Sequence, residues 1–168
     1  MDFLKRAVGE GFVAGVIGAT GVALWFLLVD TINGRPFFTP AMLGSAVFLG
    51  VHDPAAVQVA YSTVIMYTML HVIAFWVVGT IAAMLAALVD KVPATLFLIA
   101  VFFAIFEVGF YILVATLAQP MLGALAWVNV AIGNALAAAG MGFYLYKMHP
   151  HIREAFAVHP LGETEEGE

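Results

Sequence analysis

Residues 92–146 read VPATLFLIAVFFAIFEVGFYILVATLAQPMLGALAWVNVAIGNALAAAGMGFYLY, and Glu107 is the one charged side chain in the run. A spanning helix needs about 20 apolar residues at about 1.5 Å rise each. This stretch is long enough for two. Gln119-Pro120 divides it, because proline ends a helix and restricts the residue before it. The expectation is two spans, 93–118 and 120–147, lying in a bilayer.

Working outward, residues 11–29 and 54–89 are also free of charge. They predict spans over 11–31 and 60–89. Between them, residues 36–52 are uncharged but contain Pro36, Pro40, Gly44 and Gly50. Seventeen residues are too few to cross comfortably, and Thr39-Pro40 reads as an N-cap with proline at the first helical position. This segment is expected to be a short interfacial helix over 40–50. His52-Asp53-Pro54 reads as a turn leading into the second span. The fold class is therefore an all-α integral membrane protein: a four-helix transmembrane bundle with a short interfacial helix between helices 1 and 2. It forms a single domain over 1–148, followed by an acidic tail over 149–168.

Composition leads to the same class. Of 168 residues, 64% are hydrophobic and 10% charged, too little polar surface for a soluble domain. The net charge of -5 and the lack of a basic patch argue against nucleic-acid binding. Cys is absent, which excludes disulfides, thiolate metal sites and Cys nucleophiles.

Charge bias sets the expected orientation. Four spans put Lys5, Arg6, Lys91, Lys147 and Arg153 on one side and Arg35 alone on the other. Basic residues favour the cytoplasm, so both termini are expected there, in a plasma (inner) membrane. A five-span alternative splits the charges two to four and inverts the chain. The run Phe12–Val29 is long and lacks a small-residue cleavage site, so it reads as a retained span.

The first span carries Gly11-x-x-x-Gly15 and Ala14-x-x-x-Gly18, and residues 131–142 of the fourth repeat the small-residue pattern. Such spacing lets helices approach closely in lipid. Packing within the bundle is the simpler reading, and a homodimer face is the alternative.

Strongly polar groups inside spans are costly and mark candidate sites. His71, Glu107, Asn129 and Asn134 fall near the midplane by residue counting. Thr63, Tyr67 and His71 share one helical face by i, i+4, i+8 spacing, as do Phe103, Glu107 and Tyr111. The hypothesised ligand or proton site is therefore His71, Glu107, Tyr67, Tyr111, Asn129 and Asn134. His71 and Glu107 are expected to meet directly, with Asn129 or Asn134 as the alternative partner of Glu107. Ordinary helix-joining hydrogen bonds are the competing reading. No covalent haem, iron–sulfur or di-iron motif is present, and no cofactor is named. One membrane carboxylate and one membrane histidine make an incomplete metal set. His149, His151 and His159 are expected to lie in a wet juxtamembrane segment.

No catalytic motif stands out, so an enzyme is not the favoured class. The chain reads first as a structural or accessory subunit of a larger bacterial membrane complex. Its partners would be the bilayer and other membrane subunits or a second copy. The alternative is an independent protein with an intramembrane His/Glu site for a proton, quinone or lipid-like ligand.

Overall fold

A computed structural model of the chain describes residues 2–118 and 124–152. Among the described residues five α-helices occur in order: α1 (Asp2–Ile32), α2 (Phe38–Leu49), α3 (Tyr61–Val89), α4 (Phe97–Ala118) and α5 (Ala124–Met148). Two 3-10 turns, Pro54–Ala56 and Pro93–Leu96, precede α3 and α4. There is no strand among the described residues. Four helices are long and apolar enough to span, and α2 is the shorter apolar helix between the first two. The chain is an all-α protein of the membrane-spanning class. The expected break at Gln119-Pro120 and the tail from 153 onward, including Arg153 and His159, lie outside the described residues.

α1 begins nine residues before the expected 11, at Asp2. Its polar first turns are held by an i, i+4 pair, Arg6 Nε to Glu10 Oε1 at 2.7 Å. α1 is the central helix, packed between α3 and α5. Glycine permits the α1–α3 crossing. A Cβ added to Gly79 would lie 2.3 Å from the Gly11 carbonyl oxygen, and one at Gly15 would lie 2.5 Å from the Phe75 oxygen. Backbone thus meets backbone, and the small-residue face of α1 is used inside this chain. Ala14, Val22, Phe75, Ala83, Ala137 and Met141 form the buried core around that crossing.

α2 starts at Phe38, two residues before the expected boundary, and Thr39 is not its N-cap. Phe37 occupies that position at φ 64 with no side-chain cap bond. The capping group comes from α1. Asp30, 5% exposed, accepts the Thr39 N–H at 2.7 Å and the Thr39 hydroxyl at 2.7 Å. A carboxylate reaching over from another helix satisfies the first-turn donor that a local cap would otherwise serve. The turn before α3 forms as read, with Asp53 capping Pro54–Ala56 through Ala55 N–H at 2.9 Å.

α4 is the exception to tight packing. Only 6% of its most apolar 18-residue window is buried, against 28–33% for the other three spans. A short connection joins it to α3, yet the two helices touch sparsely. The space that α4 leaves against the rest of the bundle holds the candidate site.

Candidate functional site

Two of the polar side chains in the spans meet, and the partner of Glu107 is not the one expected first. Asn134, 4% exposed on α5, donates its Nδ2 hydrogen to Glu107 Oε2 at 3.1 Å. His71 instead directs Nε2 to the Ala19 carbonyl of α1 at 3.3 Å. The direct His71–Glu107 bond is therefore replaced by the alternative partner. The physical reason is the direction His71 takes: its ring turns toward α1, where the Ala19 carbonyl engages Nε2, and Asn134 on α5 is the group that reaches Glu107. Since a carbonyl can only accept, His71 Nε2 carries the hydrogen, and in the neutral ring Nδ1 is then the acceptor.

Two apolar cavities flank this arrangement. One, of about 400 Å³, lies between α3, α4 and α5 and is lined by Phe75, Val78, Phe103, Phe106, Ala138 and Met141 among others. The second, of about 280 Å³, lies against α2 and is lined by Val22, Phe26, Leu43, Tyr67, His71 and Phe110 among others. Phe75 and Asn134 line both. Their walls are nearly all hydrocarbon and aromatic, with Asn134, His71, Tyr67, Thr39, Thr68 and Tyr146 as polar points.

Each remaining candidate has a distinct place. The Tyr67 and His71 rings stack at 5.8 Å between centroids, and His71 meets Phe75 at 4.7 Å, making an aromatic ladder along α3. Tyr111 lies within reach of the Glu107 carboxylate and packs its ring on Trp127 at 5.4 Å. Asn129 contributes its backbone carbonyl, which accepts from Trp25 Nε1 at 2.9 Å. It lines neither cavity. Asn134 thus takes the position that residue counting left open between the two asparagines.

A second polar cluster lies at the end of the bundle that carries Arg6 and Lys91. His149 is 1% exposed, so the reading of this position as wet is corrected. Its Nδ1 lies 2.5 Å from Asp90 Oδ2 and its Nε2 3.0 Å from Glu10 Oε2. His151 remains largely exposed, with Nδ1 3.6 Å from Asp90 Oδ1. Glu10 and Asp90 were not singled out from sequence. The signal available was topological: four spans bring the start of α1, the end of α3 and the end of α5 to one side.

Among the described residues, no group of three or more His, Asp or Glu side chains is arranged to hold a metal ion. No family model, curated protein or solved structure matches the chain, so the site is read from its own geometry.

Proposed function

We propose that this integral membrane protein holds an apolar ligand with a compact polar head, of quinone-like or lipid-like chemistry, in the space bounded by α4. The observation that carries this reading is the pair of cavities that share Asn134 as a polar wall. The larger falls within the roughly 300–1,000 Å³ of small-molecule sites, which are mostly apolar with a few placed polar groups. Asn134 spends one amide hydrogen on Glu107 and keeps a second donor and its oxygen for a head group. His71 offers an acceptor from the facing wall. Glu107 holds the Asn134 amide in orientation, and Tyr67 and Tyr111 flank the two polar groups.

The test is purification of the full chain in mild detergent, extraction, and mass spectrometry of what co-purifies. About one quinone or lipid molecule per chain is expected, consistent with a single small-molecule site. Ala138→Trp, which fills the larger cavity, should lose it while the chain remains monodisperse. A chain that retains nothing above the detergent-exchanged background overturns the reading.

A second reading has its own support. The lipid-facing surface of α4 is largely uncovered, as expected of a helix that docks on other subunits of a membrane complex. Co-migration with a large assembly on native gels of solubilised membranes would favour that accessory role. For either reading we propose a cytoplasmic location for both termini. Reporter fusions at residue 168 and within 33–53 should give opposite signals, and a periplasmic signal from the C-terminal fusion would reverse the orientation.

A further inference from the structure

We propose that Glu10, Asp90 and His149 form a single proton-binding site that latches the end of α5 onto α1 and the end of α3. None of its three residues lines the ligand cavities that carry the reading above; the reporter used below, Ile152, borders the larger one, and the amide variants separate the two.

The inference rests on counting hydrogens. Ionised carboxylates only accept, and a neutral imidazole has one N–H and one lone pair. Both nitrogens of His149 face carboxylate oxygens, at 2.5 and 3.0 Å. Two hydrogen bonds therefore require one proton more than a neutral ring with two carboxylates carries. Whether that proton is drawn on the imidazole or on either acid, the count is the same. Its loss to water leaves a ring lone pair facing a carboxylate oxygen, so one of the two bonds becomes a repulsion. The ring is 1% exposed, and no water fits between atoms 2.5–3.0 Å apart, so the lost bond is not replaced while the latch stays closed.

The surroundings fit a proton and not a larger ligand. The adjoining cavity, bordered by Arg6, Glu10, Asp90, Lys91 and His149, measures about 140 Å³, room for a few waters. The charged and titratable groups facing the cluster can be named from each element. On α1, Arg6 pairs with Glu10 Oε1 at 2.7 Å. Beside Asp90, Lys91 sits over the Phe3 ring at 4.7 Å. On α5, Tyr144 feels the charge of Glu10. Beyond α5, His151 approaches Asp90 Oδ1, a buried oxygen with no hydrogen-bond partner. The proton-bound cluster is anionic by one charge, and Arg6 balances it.

The sign follows. The latch is closed while the proton is held and opens as pH rises. Ile152, 4% exposed just beyond His149, reports on it. Because the chain has no cysteine, Ile152→Cys gives a background-free label site. Maleimide labelling of the full chain in detergent is compared, at each pH, with the same chain unfolded in SDS. As the pH is raised, protection should fall roughly tenfold or more, the effect of losing one charge-assisted bond. Glu10→Gln removes the need for the extra proton, because its amide donates to Nε2 while a neutral ring donates Nδ1–H to Asp90. Protection in that background should be flat with pH. Asp90→Asn is the mirror case and serves if Glu10→Gln does not fold. Constant protection in the unaltered latch overturns the proposal. So does a pH-dependent loss that persists in the amide variants, or labelling of both variants at every pH.

Discussion

The α1–α3 crossing and the α4 flank are built from similar residues and behave in opposite ways. At the crossing, Gly11, Gly15 and Gly79 have no room even for a methyl group. On α4, Gly109 has nothing within 4 Å of the position its Cβ would take. In lipid there is no hydrophobic force pressing helices together, so close backbone packing must supply cohesion. The α1–α3–α5 core has that cohesion. α4 lacks it and leaves two cavities and an uncovered face. One part of the molecule maintains the fold, and the other leaves space that a ligand or partner can occupy.

The sharpest way to break this contrast is one substitution made in both regions. Gly79→Ala forces a Cβ against the Gly11 carbonyl and should destabilise by about 3 kcal/mol, lowering the thermal midpoint of the detergent-solubilised chain. A midpoint within error of the parent would mean the crossing is looser than described.

Next in size is the α2 anchor. Asp30→Ala removes two hydrogen bonds to Thr39 and should cost about 2 kcal/mol. Its signature is local: limited proteolysis should cut within 33–53 before the bundle unfolds. Simultaneous loss of both would show that α2 is not held independently through Asp30.

Gly109→Ala is the counterpart of Gly79→Ala and should carry the opposite sign. With open space around it and a helix-favouring residue replacing glycine, a gain of about 0.5–1 kcal/mol is expected. A marked loss would show α4 to be packed against something it needs.

The smallest stability effect belongs to Glu107→Gln. The new amide oxygen still accepts from Asn134, and such interhelical bonds average about 0.6 kcal/mol, so the midpoint should barely move. Ligand retention on extraction is the second readout: because the Gln oxygen keeps the Asn134 amide oriented, retention should be unchanged, and loss without unfolding would show that the charge of Glu107 itself is needed by the ligand.

What was legible in the linear chain followed from properties that need no neighbours. Charge-free runs near 20 residues predict spans, because backbone polar groups in lipid must be satisfied within a helix. That was enough for the four spans, for a short helix over 40–50, and for His71, Glu107, Asn129 and Asn134 as out-of-place polar groups. The capping of α2 was not legible, since its acceptor Asp30 lies nine residues before Thr39 on another helix. Nor was the burial of His149, whose local surroundings, Met148 and Pro150, resemble an exposed end. Its burial depends on Glu10 and Asp90, 139 and 59 residues away. The identity of Glu107's partner likewise came only with tertiary structure. Residue counting sets depth along a helix axis, but rotation and splay are set by side-chain packing between helices. That packing turned His71 toward the Ala19 carbonyl of α1 and put Asn134 beside the carboxylate.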